Sequence, residues 1–363
     1  MKRYLALLAA VAAIATPGEL AAQDAGFSGA CGEVIERLRD VCFVAAQGVE
    51  SAQPQVGILV AGGNPTLGTA STGGLRLGVL PRVSATVKAN LVRAEIPDLR
   101  EVRTGPTDGE SFGELAIIAP SLSATASVGV FPGLSLAPTI GGIGAIDLLG
   151  TASWLPLRAL GSDEIAEGSA DVSLGGGLRV GLLRESFTMP GASVSVMYHS
   201  LGTVAWGEIC PARVRTSETG GPGWMVQQGQ CGPADLGTMG EFRFDLSSLS
   251  TRAAVSKHLL GLGLSAGVGY DRFSSDIELA VRAPQGAFPS PTTPYAIVTG
   301  VDLAEGRWSA FVDGSFSILI ATVAVEAGWL QGGGAGPGVP VIDSDFDPGD
   351  GTYFGSVGVR VAL

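Results

Sequence analysis

Residues 351–363 read "GTYFGSVGVRVAL". Tyr353, Gly355, Val357, Val359, Val361 and Leu363 share one face of an extended chain, and Ser356, Gly358, Arg360 and Ala362 share the other. A period of two with one apolar face predicts a β-strand, either half-buried in a soluble sheet or standing between lipid and water. Working outward from this stretch separates the two.

The same alternation recurs upstream. In "RVSATVKANL", Val83, Ala85, Val87, Ala89 and Leu91 oppose Ser84, Thr86, Lys88 and Asn90. In "SLSATASVGV", Leu122, Ala124, Ala126, Val128 and Val130 oppose Ser121, Ser123, Thr125, Ser127 and Gly129. In "DVSLGGGLRVGL", Val172, Leu174, Leu178, Val180 and Leu182 oppose Asp171, Ser173, Arg179 and glycines. Segmenting at turn signals predicts strands over 55–62, 74–79, 83–95, 115–130, 134–147, 169–183, 191–207, 242–258, 262–282, 307–317, 321–330 and 352–363. That makes about twelve, or fourteen if "PYAIVTGVDLAE" (Pro294 to Glu305) adds two strands and is not a loop extension. Every second connection is tight: 80–82 "LPR", 131–133 "FPG", 184–191 "RESFTMPG", 259–261 "LLG", and a bend at Ile318 to Ile320. The others are long and polar.

Composition points the same way. Of 363 residues, 15% are charged, against roughly 25% in an average soluble domain, and 6% are aromatic. With 55 glycines and 21 prolines, long helices are disfavoured. Beyond the leader, no stretch offers the ~20 continuous apolar residues of a spanning helix; the charge-free run Leu115 to Ile146 is broken by Ser, Gly, Pro and Thr.

Short turns at one end and long loops at the other is the layout of bacterial outer-membrane barrels. Trp206, Tyr270, Trp308, Trp329 and Tyr353 all fall at the long-loop ends of their strands, where an interfacial aromatic girdle belongs. The chain from residue 24 onward resembles Gram-negative outer-membrane β-barrel proteins, and "YFGSVGVRVAL" resembles their C-terminal assembly signal, departing from it by ending in Leu363 and not in an aromatic residue. The resemblance implies an all-β, up-and-down antiparallel transmembrane barrel in the outer membrane. It also implies contact with outer-membrane lipid and insertion by barrel-assembly machinery.

The N-terminus is a separate element: "MKR", then "YLALLAAVAAIA", then the small-residue exit "ELAAQ" read as a secretory signal peptide over 1–23. Its removal takes two positive charges and one negative, moving the net charge from −12 to −13. An acidic chain is a poor partner for nucleic acid. Residues 24–50 follow as an amphipathic helical segment, with Val34, Ile35, Leu38, Val41, Cys42 and Ala45 at helical spacing, expected on the periplasmic side as a plug, a lid or a cap. Residues 51–363 are assigned to the barrel.

Four cysteines fit an oxidising compartment. Cys210 and Cys231 bracket one polar loop and are expected to be bonded; Cys31 and Cys42, about 16 Å apart along a continuous helix, are bonded only if that helix is broken.

With the apolar face outward, the inner face is expected to carry Arg76, Lys88, Asp171, Arg179, His199, Arg243, Arg252, His258, Asp271, Asp313, Glu326 and Arg360. Ionisable groups at membrane depth pair or meet water, so they form either a selective constriction or a salt-bridged filling. Asp313 and Glu326 are expected at similar height, with Arg360 on the next strand and Arg76 and Lys88 near them on closure.

Enzyme signatures are weak. Alternation turns His199 inward and Ser200 outward, and "GESFG" at 109–113 lies in a loop and not on a strand-to-helix elbow. No glycine run precedes Lys88 or Lys257 as a phosphate loop would require. "DSDFDPGDG" offers Asp343, Asp345, Asp347 and Asp350, but Pro348 stands where a calcium loop needs glycine, and a solvated acidic loop is the simpler reading. No cofactor is expected. The leading expectation is a channel or transporter for small solutes through a charged lumen; the alternatives are a non-conducting barrel acting through its loops and, third, a lipid-active enzyme.

Overall fold

The computed structural model describes residues 53–72, 75–76, 80–97, 114–135, 141–156, 171–206, 240–283, 295–333 and 350–362. A helix, α1, covers 53–61. Two-residue strands β1 (Leu75–Arg76) and β2 (Leu80–Pro81) pair only with each other. Then come β3 (Val83–Pro97), β4 (Glu114–Phe131), β5 (Ala145–Trp154), β6 (Val172–Leu183), β7 (Gly191–Trp206), β8 (Gly240–Leu259), β9 (Leu262–Ala283), β10 (Tyr295–Ile318), β11 (Ala321–Leu330) and β12 (Thr352–Ala362).

β3 to β12 form one closed, wholly antiparallel barrel of ten strands. The ring closes where β12 pairs β3, from Phe354↔Val92 to Ala362↔Ser84. In the closing strand Val357, Val359 and Tyr353 face out and Phe354 and Ser356 face in, as its alternation requires. Phe354 lies over Gly328 of β11, where no side chain would leave room for its ring. Around the ring the outer face carries Leu91, Leu122, Leu148, Leu174, Val268, Val312 and Val325, each at least 47% exposed, while the serines and threonines beside them are buried inside. Closure pairs every wall strand on both sides, which is what lets backbone amides stand in hydrocarbon. No helix of the described residues is long and apolar enough to cross a membrane.

The count is ten and not twelve, and both missing strands lie before β3. Residues 55–61 are helical and sit inside the barrel, buried on nearly every side. An apolar run of this length suits a strand or a buried helix equally well. The wall decides between them: with β12 bonded to β3 no edge is left, so a chain in the lumen must satisfy its amides within itself or from wall side chains. Of residues 74–79, the described ones, Leu75 and Arg76, form β1. The strand expected over 134–147 lies instead at 145–154; among the described residues before it, Gly133, Gly142 and Gly144 are at positive φ and Leu134 and Ile143 form a lone bridge. The expected turn at 80–82 is accordingly not a connection of the wall, and 131–133 opens a longer one, 132–144, between β4 and β5. "PYAIVTGVDLAE" is neither loop nor new strands: from Tyr295 it is the upper part of β10, laddered to β9.

The tight turns at Leu260–Gly261 and Leu319–Ile320 are realised, the first with both residues at positive φ as a two-residue type I′ hairpin requires. These turns, the start of β3 and the end of β12 mark one end of the barrel, the turn end. The long connections mark the other.

Candidate functional site

The lumen is small because its wall is ten strands, and passable because its lining is short. Eight strands leave space only for side chains. Here inward-facing serines, threonines and glycines leave space for one chain. Gly175 and Gly177 sit beneath His199 and Met197, Gly267 beneath Phe311 and Gly269 beneath Arg252; at Gly269 a Cβ would stand 2.6 Å from Arg252 Cδ.

Residues 53–72 occupy that space and descend it. At the top, Gln55 exchanges two hydrogen bonds with the backbone of Glu95, near the upper end of β3. Gly57 packs on the ring of fully buried Phe273. The last carbonyls of α1 have no partner within the helix, and wall side chains supply one: Ser121 Oγ donates to Leu59 O (2.8 Å) and Ser153 Oγ to Val60 O (3.4 Å). Gly62 ends the helix at φ 65°. Arg252 then donates to Gly62 O (2.9 Å) and Gly63 O (3.0 Å), a cation where the helix dipole is negative.

Asn64 is the centre of the seat. Its backbone N–H donates to Glu326 Oε2 (2.6 Å), its Nδ2 donates to Asp313 Oδ2 (2.8 Å), and its carbonyl accepts from Lys88 Nζ (3.4 Å). Its Oδ1 accepts from Thr66 N (3.1 Å), an Asx turn across Pro65. One buried residue thus addresses two carboxylates and an ammonium. Gly63 leaves room for the Glu326 carboxylate, which would lie 2.6–2.8 Å from a Cβ there.

Below Asn64, Thr66 accepts from Arg179, whose guanidinium also bridges to Asp147 Oδ2 (2.6 Å) across the β5–β6 register. Arg360 Nη1 donates to Leu67 O (3.3 Å), and Ser256 Oγ accepts from Ala70 N (2.9 Å). A cavity of about 390 Å³ lies at the turn end, lined by Thr66, Arg82, Arg179, Glu185, His258 and Arg360 among others.

The expected lumen residues therefore divide. Lys88, Arg179, His199, Arg252, Asp271, Asp313 and Glu326 are buried in the inner wall, and Arg360 is half-buried there. Asp271 pairs with Arg252 (2.8 Å). Asp313 and Glu326 are direct register partners. Closure brings Lys88 alongside β12, opposite Gly358. Arg360 stands opposite Thr322, below Glu326, and binds the segment and neither acid. Asp171 is half-buried at the long-loop end of β6. Arg243 is a correction: it is exposed, an odd number of residues from Arg252 and so on the opposite face, in the upper part of β8 opposite Glu278. Arg76 lies in β1, outside the wall.

On the outer face Tyr270 and Trp308 stack with centroids 5.1 Å apart, and Trp329 and Tyr353 are register partners beside them. Trp206 ends β7. Trp154 and Tyr198 are exposed on the outer wall as well, Trp154 unforeseen because β5 was misplaced. Cys31, Cys42, Cys210, Cys231, Asp343, Asp345, Asp347 and 109–113 lie outside the described residues, as do 1–50; among the described residues no group of acids, histidines or cysteines could hold a metal.

Asn64, Thr66 and Asp147 were missed by sequence reasoning. The stretch "GGNPTLGTASTGG" around Asn64 reads as a loop that could stay outside or fold inward, and nothing local chooses between them. One further alignment exists: Ser315 Oγ lies 3.4 Å from His258 Nε2, and His258 Nδ1 lies 2.9 Å from Glu185 Oε2, the order of a nucleophile relay. Gly68 is seated on Ser315, where a Cβ would stand 2.9 Å from Ser315 Cβ. Ser315 Oγ also lies 3.4 Å from Gly68 O of the seated segment.

No family model and no curated relative matches the chain. Among solved structures it is similar to the outer membrane protease OmpT from Escherichia coli (10% identity, TM-score 0.35, covering 78% of this chain and 96% of that one). It is also similar to the translocator domain of autotransporter NalP from Neisseria meningitidis (13%, 0.34, 89% and 97%). A third is Ail, the attachment invasion locus protein of Yersinia pestis (6%, 0.26, 78% and 99%). These are Gram-negative outer-membrane β-barrels, the class that the last strand resembles.

Proposed function

We propose that this chain is an outer-membrane channel for small solutes, closed by its own residues 53–72 and conducting when they leave their seat. The observation that carries the reading is the chemistry of the seat. Lys88, Arg252, Asp313 and Glu326 are buried ionic groups, and they converge on a segment that shares no strand ladder with the wall. Filling a barrel permanently needs no charge, and apolar packing in place of buried ion pairs is often neutral or stabilising. Charges that are satisfied by the segment when it is seated, and by water when it is not, suit a lumen with both states. Outer-membrane lipid, the assembly machinery and a small solute are the partners that this reading requires; it assigns no enzymatic step.

The test is planar-bilayer conductance of the folded chain with and without residues 53–72, folding being verified by heat-modifiable gel mobility. The intact chain is expected to stay closed apart from brief openings, and the shortened chain to carry steady current whose ion selectivity shifts with Glu326→Gln or Lys88→Gln. Silence from a folded, shortened barrel would sink the channel and leave the second reading, a non-conducting barrel. That reading draws its support from the wall's hydrogen bonds to the segment along its length, from Gln55 to Ala70.

A further inference from the structure

The direction in which residues 53–72 run has a topological consequence. Followed along the chain, their wall partners move steadily from the long-loop end to the turn end. Gln55 meets Glu95, next to the top of β3; Leu59 meets Ser121 and Gly63 meets Arg252, both at mid-wall. Asn64 meets Asp313 and Glu326, Leu67 meets Arg360, and Ser71 accepts from the backbone of Glu185 in the turn after β6. Val83 then begins the wall at that same end. The segment enters from the long-loop mouth and leaves at the turn mouth. The reverse path is closed to whatever precedes Gln53, because the lumen beneath it is occupied by 62–72 and sealed by the bonds just described.

From this we infer that the chain upstream of Gln53 is presented on the outer surface of the cell: the barrel threads its own N-terminal segment outward through the lumen and holds it by residues 53–72. The inference runs against the expectation that residues 24–50 begin on the periplasmic side, a stretch outside the described residues. The inference rests on the outer-membrane placement proposed above, in which short turns face the periplasm, and not on whether the barrel conducts. Residues 24–52 extend at most about 3.3–3.6 Å per residue, ample to clear the mouth. They carry Cys31, Cys42 and the apolar stripe through Val34, Leu38 and Val41 to the surface. The stopper of the lumen thereby acquires a handle outside the cell.

The experiment uses the full chain in intact cells, with a protease-cleavable epitope inserted between Gly26 and Phe27 and, in a second variant, at the exposed turn residue Leu319. Added protease is expected to remove the first epitope and spare the second until the outer membrane is permeabilised. Because an inserted epitope can itself obstruct threading, a Cys210→Ser, Cys231→Ser variant, reduced mildly, is also labelled with a membrane-impermeant maleimide. Cys31 and Cys42 are expected to react in intact cells to at least the level reached after permeabilisation. Protection of both epitopes, with thiols that react only after permeabilisation, overturns the inference while leaving the channel reading untouched. Removal of the Leu319 epitope in intact cells overturns the membrane placement itself.

Discussion

Asn64 shows how much one side chain can decide inside a barrel. It donates to both carboxylates of a register pair while its carbonyl accepts from Lys88, so one neutral residue hydrogen-bonds two acids and an ammonium at once. Asn64→Asp puts a third acid against Asp313 and Glu326 and removes a bond to a charged group that is worth about 1.5–3 kcal/mol. The seated population is expected to fall by about tenfold or more, read as raised open probability in single-channel records; adding Asp313→Asn should restore closure, and no change in N64D would remove Asn64 from the latch. The inner glycines make a second case. At Gly177 a Cβ would come within 2.8 Å of Met197 Cα, a backbone neighbour that cannot step aside, whereas at Gly314 on the outer face it would meet nothing within 4 Å. Gly177→Ala is expected to cost about 1–3 kcal/mol and Gly314→Ala to stay within about 0.5 kcal/mol, compared by urea unfolding of the refolded barrel.

At the scale of the strand, period-two alternation is the governing signal, and it was legible wherever both faces of a strand carried a clear chemistry. Val359 stands 45% exposed on the outer face between Val87 and Val323 in register. Val359→Arg, placed near the midplane, is expected to cost about 2–4 kcal/mol and Val359→Ile almost nothing. Equal unfolding midpoints for the two would mean that this face does not meet lipid. Strand length adds what alternation cannot. β9 and β10 cover 22 and 24 residues, about twice the 9–11 that a tilted span needs. Their upper parts, beyond Tyr270 and Trp308, therefore rise past the aromatic boundary. Arg243, opposite Glu278, belongs to that raised wall, which is why an outward charge is tolerated there. β5 was misread because Leu134, Leu136, Ile140 and Ile146 alternate in phase, and a beat alone does not show which residues will find a ladder partner.

For the whole molecule, closure is the event on which everything else depends. Pairing β12 with β3 makes the ladder complete and leaves 53–72 inside it, without an edge to join. The same closure turns Lys88, Arg252, Asp313 and Glu326 from separate inward charges into one seat, and the direction of the seated chain assigns its upstream part to the long-loop side. The sequence by itself determined the class of wall, the outward face of its strands, most of the inner charged residues and the tight turns at Leu260–Gly261 and Leu319–Ile320. Those are local properties, written in neighbours one or two residues apart. Only the tertiary structure decided that ten strands close the ring, that "QVGILVAG" is a helix within it and that Asn64 holds the charges. Each of these depends on which partners remain once distant strands have paired, and no local pattern carries that information.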